Sequence, residues 1–214
     1  MPEPVAPFTS RVIPLPAENV DIDQIIPARF LKTTEKSGLA EGLFYNWRYL
    51  PDGTPRPDFV LSRPEMAGRA VLLGGPNFGP GSSREHAPWA LLAWGIRAVI
   101  STGFADIFRQ NALKNGLLPI AVPTERHAAL FELVAADPDV ELTVDLAAQS
   151  VRVLPSRPGV AAAAAVGETF PFEIDPFARQ MLLEGTDEIG YVLGRLPAIE
   201  TWEAAHPARV NTLA

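Results

Sequence analysis

AVLLGGPNFGPGSSREHAPWALLAWGIRAVISTGFADIFRQNALKNGLLPIAV, Ala70–Val122, is the stretch that decides the fold. Three short apolar runs, Ala70–Gly74, Ile96–Ile100 and Leu117–Val122, have the length and the bounding turn residues of buried strands. A glycine-rich loop follows the first run and leads into a helix through Ala93. Asp106–Asn115 reads as a second helix, with Gly116 as its C-cap. Glu125–Ala135 is a third. Strands separated by helices need crossover connections, so a layered α/β domain is expected.

Outward from this frame the signals are more varied. Phe8–Leu15 alternates as a first strand, and residues 1–7 read as a loose tail. In NVDIDQIIPARFL, Asn19–Leu31, Pro27 argues against one continuous helix, so turns and short pieces are expected. Residues 32–66 are irregular, with Leu43, Phe44, Tyr45, Trp47 and Tyr49 between Gly42 and the turn signal Pro51-Asp52-Gly53. That segment is either a surface loop pinned by its own aromatics or a lid or partner contact. The second reading expects Gly38–Gly53 to be mobile in the isolated chain and ordered at a subunit boundary.

Downstream, Val140–Leu146 and Ser150–Leu154 read as strands joined by a short turn, and Thr169–Ile174 as another. Pro158–Gly167 reads as a linker. Phe177–Glu184 and Thr186–Leu193 read as helices. The expectation is a single domain over residues 1–214 with a mixed sheet, an N-terminal tail and a C-terminal extension.

Composition narrows the function. Of 214 residues, 47% are hydrophobic, enough for a sizeable core. The net charge of −7, with no concentrated basic patch, argues against nucleic-acid binding. With no cysteine, the chain makes no disulfide and holds no iron–sulfur cluster through thiolate. The three histidines, His86, His127 and His206, are scattered, and the last two read as surface residues. No apolar run approaches the roughly 18 residues of a membrane span. The N-terminus lacks the basic-then-apolar pattern of a secretory signal, and a cytoplasmic protein is expected.

The chemistry concentrates in GGPNFGPGSSREHAPWALLAWG, Gly74–Gly95. Gly74, Gly75, Gly79 and Gly81 permit positive φ or close backbone approach to a bound group. Two local rules disagree on where the next helix begins. Ser82-x-x-Glu85 matches a capping box. Pro88, lacking an N–H, fits only a helix begun near Glu85. The proline is the stronger constraint, and it leaves Ser82, Ser83 and Arg84 in the loop. Orphan N–H groups at the helix start favour an anion, and an arginine beside them can hold a carboxylate bidentately. The plainer alternative is that the serines cap the helix and Arg84 pairs with Glu85. The spacing is neither a dinucleotide fingerprint nor a P-loop. A serine hydrolase would need an assigned histidine and acid, and no acid is evident.

NFGPGSSREHAPWAL, Asn77–Leu91, closely resembles the signature of isopropylmalate dehydratase small subunits, relatives of the aconitase swivelling domain. NVDIDQIIPARFL resembles that family's N-terminal motif, and LFYNWRY, Leu43–Tyr49, its leucine-pathway loop. GFADIFRQNALKNGLLPI, Gly103–Ile120, and GTDEIGYVL, Gly185–Leu193, resemble two further blocks. These blocks span nearly the whole chain in order.

The resemblance implies a layered β/β/α swivelling domain like aconitase domain 4, and a hydro-lyase that interconverts 2-isopropylmalate and 3-isopropylmalate through isopropylmaleate in leucine biosynthesis. It implies a large-subunit partner carrying a 4Fe-4S cluster, with no cofactor or metal on this chain, and a small dicarboxylate substrate. By the same resemblance Ser82 is the catalytic base and Arg84 the carboxylate clamp. Ser83 adds a hydrogen bond or orients the loop, and Arg29 faces the substrate. Asp21, Asp23, His86 and Asp106 are supporting residues.

Each of these has a plainer reading. Asp21 and Asp23 could cap a turn, and His86 could satisfy groups at a helix start. Arg109 and Lys114 read as one polar helix face. The family's first block has aspartate–threonine–aspartate where this chain has Asp21-Ile22-Asp23, which loses a hydroxyl and puts the local hydrogen bonding in question. The nearest alternative activity is that of a related homoaconitase or citraconate/methylmalate hydro-lyase. Lys32 and Lys36 keep an extra-carboxylate substrate open, whereas LFYNWRY favours the isopropyl group.

Overall fold

A computed structural model of the chain describes residues 3–31, 38–81, 84–156 and 169–206. The strands among them are β1 (Phe8–Leu15), β2 (Val71–Gly74), β3 (Ala98–Ser101), β4 (Leu118–Ala121), β5 (Glu141–Asp145), β6 (Ser150–Leu154) and β7 (Thr169–Pro171). The helices are α1 (Ile22–Ile25), α2 (Tyr45–Arg48), α3 (His86–Trp94), α4 (Asp106–Asn115), α5 (Thr124–Ala136), α6 (Pro176–Glu184), α7 (Glu188–Gly194) and α8 (Leu196–Ala205). The linker expected at Pro158–Gly167 lies outside the described residues.

The strands pair in the order β4-β3-β2-β1-β5-β6-β7. β1 to β4 are parallel, and β5, β6 and β7 add antiparallel ladders. The expected mixed sheet is therefore present, and β1 is its hinge. Phe8–Arg11 pair with β5, whereas Val12–Leu15 pair with β2. The chain changes partner at Arg11/Val12, so a parallel half and an antiparallel half share one strand lengthwise.

Alternation along the parallel strands splits the core. Val12, Leu73, Ile100 and Ile120 face the cluster that holds α5 and the inner residues of β5 to β7. Ile13, Leu15, Leu72 and Val99 face α1, α3 and α4. Both sheet faces are covered, which is why β2 and β3 are buried at every position and, Ser101 apart, carry no polar side chain.

Helix α3 starts where Pro88 requires. Glu85 is the N-cap and Pro88 the third helical residue, a position whose N–H would be unpaired in any case. As N-cap, the Glu85 side chain makes no cap hydrogen bond to the helix, and Ser82 of the expected capping box lies outside the described residues. Gly116 closes α4 with φ +90, as expected. Helix α8 was not anticipated, although Pro197 in its first turn is a start signal.

Three expectations are corrected. Residues 3–7 of the expected tail are docked, not loose: Val5 is buried, its amide donates to Leu182 O at 2.9 Å, and Arg97 donates to Ala6 O. The aromatic segment is not a surface loop but is built into the core. Leu39, Leu43 and Phe44 are fully or nearly fully buried, and Phe44 N donates to Ile25 O at 2.7 Å. Phe44 stacks on Trp47, and both meet Phe59 edge-on, so the aromatics do pin one another. Finally, His127 is not a surface residue. It is 6% exposed, with Nε2 2.7 Å from Gly74 O. It shares a face of α5 with Leu130 and Val134, three and seven residues on, a spacing already present in the sequence.

Candidate functional site

The loops that follow β1, β2 and β3 meet at one edge of the parallel half, beyond the carboxyl ends of those strands. This is where open α/β sheets place ligands. The β1 loop runs beside the glycine loop through Asn19 N to Pro76 O, Gly79 N to Val20 O and Ile22 N to Pro80 O, at 2.8–2.9 Å. The β3 loop joins on the other side, where Phe78 N donates to Gly103 O at 3.0 Å and Ala105 N to Phe78 O at 3.1 Å.

The glycines make this contact possible. A Cβ on Gly75 would overlap Ala17 O, and one on Gly79 would overlap the Phe108 ring. Gly79 and Gly81 hold positive φ, whereas Gly74 and Gly75 do not. The close approach expected for a bound group is thus partly an approach to the protein's own backbone and core. Asn77 also adopts φ +55, and its side chain donates to Asn19 Oδ1 at 2.8 Å, tying the two loops by a pair the sequence did not single out.

Asp21 and Asp23 separate in role. Asp21 is the N-cap of α1: Oδ1 accepts from Gln24 N at 2.7 Å, and Gln24 Oε1 accepts from Asp21 N at 2.9 Å. This is a capping box, and Gln24 three residues after Asp21 was its legible signal. Ile22, where the family has threonine, is buried in the core with its N–H on Pro80 O. The local hydrogen bonding closes without a hydroxyl. Asp23 instead points to the glycine loop, its Oδ1 3.3 Å from Arg84 Nη1. Arg84 therefore has Asp23 as its ion-pair partner, in place of the Glu85 that sequence proximity offered.

The remaining candidates spread around this centre. Ser82 and Ser83 lie outside the described residues. His86 is the first residue of α3, and its ring is 4.9 Å from that of Trp89, whose indole N–H donates to Asn115 Oδ1 at 2.7 Å. Asp106 is exposed in the first turn of α4, directly after the residues paired with Phe78. Arg109 and Lys114 are exposed on α4. Arg29 is drawn to the aromatic segment: Nη2 donates to Asn46 Oδ1 at 3.1 Å, and its guanidinium lies 4.4 Å over Tyr45. The GTDEIGYVL block reaches the start of α3 as well. Thr186, Asp187, Glu188 and Ile189 share a hollow of about 230 Å³ with Glu85 and Lys114.

Among the described residues no donor set fits a metal centre. The chain has no cysteine, and among the described residues no group of three histidines or carboxylates is assembled. No helix among them is long and apolar enough to cross a membrane. What the edge offers is a guanidinium steadied by a carboxylate at the root of a helix. That arrangement can bind a carboxylate ligand.

Known proteins match the chain over almost its whole length. A family model described as the aconitase C-terminal domain matches residues 8–125, and a second, LeuD_N, matches residues 128–156. The 3-isopropylmalate dehydratase small subunit of Roseiflexus sp. (strain RS-1) is 54% identical over 212 residues, covering 99% of this chain and 98% of that protein. That of Anaeromyxobacter dehalogenans (strain 2CP-C) is 53% identical over 201 residues, covering 94% and 97%. The crystal structure of 3-isopropylmalate dehydratase (leuD) from Methanocaldococcus jannaschii superposes with a TM-score of 0.62 at 26% identity, covering 91% of this chain and 98% of that one. On the matched length, the identity and the shared aconitase-type fold, the chain belongs to the 3-isopropylmalate dehydratase small-subunit family.

Proposed function

We propose that this chain supplies the proton-abstracting and carboxylate-binding half of a two-chain hydro-lyase acting on 2-isopropylmalate and 3-isopropylmalate. The observation that carries the reading is the Arg84–Asp23 pair at the carboxyl edge of the parallel strands. It stands at the end of the signature loop in a chain related to small subunits over its full length.

In this reading the guanidinium of Arg84 binds a substrate carboxylate through its planar fork, which fixes the neighbouring carbon relative to the loop. Ser82, activated by its surroundings, takes the proton from that carbon. The hydroxyl of the adjacent carbon takes a proton from an acid of the assembled site and leaves as water, giving isopropylmaleate. Water then returns with its oxygen on the carbon that lost the proton, its spare proton going back to that acid, and Ser82 passes its proton to the carbon that lost the hydroxyl. The 4Fe-4S cluster is assigned to the large subunit, because this chain has no cysteine to hold it through thiolate. The resemblance of LFYNWRY, Leu43–Tyr49, to the leucine-pathway loop favours an isopropyl group over a third carboxylate.

The test is reconstitution. The purified chain should show no turnover alone and should gain it with a cluster-loaded large subunit, with isopropylmalate preferred over homoaconitate. Robust iron-independent turnover by this chain alone, or a preference for homoaconitate in the assembled enzyme, would contradict the proposal.

A further inference from the structure

We propose that His127 and Ser101 are positioning residues, holding the root of the Ser82–Arg84 loop through the carbonyl oxygens of Gly74 and Gly75. Neither belongs to a motif block for its chemistry, and both are buried polar side chains, at 6% and 0% exposure. Carbonyl oxygen only accepts, so the 2.7 Å contact to Gly74 O requires a proton on His127 Nε2. The His127 ring is itself set edge-on to Phe131 at 5.0 Å on α5.

Ser101 acts from the other side. Its hydroxyl is 2.8 Å from Gly75 O and 3.1 Å from Gly103 O, and Gly103 N donates back to it at 3.3 Å. One hydroxyl thus links the exits of β2 and β3. Gly103 O in turn accepts from Phe78 N. With Gly75 N on Leu15 O at 2.9 Å, the backbone entering the loop is fixed from β1, β3 and α5 together. A base and a guanidinium carried by a loop act only if its root is held to a fraction of an ångström. Two buried donors aimed at consecutive carbonyls at that root serve this purpose.

The inference rests on the loop being the catalytic one, so its test carries a readout independent of turnover. His127→Leu, His127→Gln and Ser101→Ala are compared with Ser82→Ala, each assembled with the large subunit at equal cluster occupancy. Glutamine places an amide N–H near the position of the imidazole Nε2, whereas leucine offers no donor. We expect His127→Leu and Ser101→Ala to lower kcat by about 10- to 100-fold, with KM changed less than about threefold. Glutamine should restore most of the loss. Amide hydrogen exchange at Phe78 and Gly79 should accelerate in His127→Leu and Ser101→Ala and stay slow in His127→Gln. Parental kcat and parental exchange at both amides in His127→Leu and Ser101→Ala would overturn the proposal, even if their melting temperatures fall. Should His127→Leu fail to assemble, Ser101→Ala and His127→Gln carry the same test. A Ser82→Ala enzyme that keeps turnover would remove the reading of the loop as catalytic. The exchange rates would still decide whether His127 and Ser101 hold it.

Discussion

Arg84 Nη1 stands 3.3 Å from Asp23 Oδ1, joining the loop after β2 to the first helix after β1. The two side chains are 36% and 59% exposed, so the pair contributes at most about 1 kcal/mol to folding. Its importance is geometric: it orients the guanidinium whose fork is proposed to receive the substrate. Asp23→Asn should therefore leave the melting temperature nearly unchanged and raise KM by roughly 3- to 10-fold in the assembled enzyme, on the order of 1 kcal/mol of lost binding. Thermal melts beside steady-state kinetics check this. A large stability loss with unaltered kinetics would make the pair purely structural.

Ser82 and Arg84 should fail in different ways. Loss of a general base removes a transition-state interaction, so Ser82→Ala should lower kcat by about 10²–10⁴-fold with substrate binding retained. Arg84→Lys keeps the charge and loses the bidentate fork, so substrate binding should weaken, with or without a loss of turnover. Substrate dissociation and single-turnover rates are measured separately at equal cluster occupancy. Near-normal turnover in Ser82→Ala rejects the base, and unchanged binding in Arg84→Lys rejects the clamp.

Gly79→Ala should destabilise the fold by roughly 1–3 kcal/mol or more, because the new Cβ meets the Phe108 ring at φ +85. Denaturant midpoints measure it. Adding Phe108→Ala should remove the ring contacts but leave the 2.6 Å contact with the Cβ of residue 108 and the φ strain, so the two changes should be less than additive. Strict additivity would place the cost elsewhere.

Arg48 fastens the aromatic segment. Its Nη1 donates to Ala40 O and Leu43 O, each at 3.2 Å, and its guanidinium lies 4.4 Å over Trp94 of α3. Burial lowers its pKa, with Tyr49 and Glu41 opposing the shift. In the isolated chain the amides of Phe44 and Arg48, bonded to Ile25 O and Phe44 O, should exchange slowly. Arg48→Met should speed that exchange and cost roughly 1–3 kcal/mol through the carbonyls left unpaired. Fast exchange at Phe44 in the parent chain would restore the picture of a segment ordered only by its partner.

Much of this was legible in the sequence by itself, because it depends on local physics. Pro88 placed the start of α3 at Glu85, since a missing N–H is harmless only in a first turn. The short apolar runs between helices implied parallel strands with both faces covered. The absence of cysteine excluded a thiolate-held cluster on this chain, and the motif blocks pointed to the family. The tertiary structure decided what depends on neighbours distant in the chain. It assigned Arg84 to Asp23 instead of Glu85, and it divided β1 between two partners at Arg11/Val12. It also buried Leu39, Leu43 and Phe44 in the core, and turned His127 inward onto Gly74 O. A sequence carries propensity and period, but the partner of a side chain is set by which loops the sheet brings to one edge.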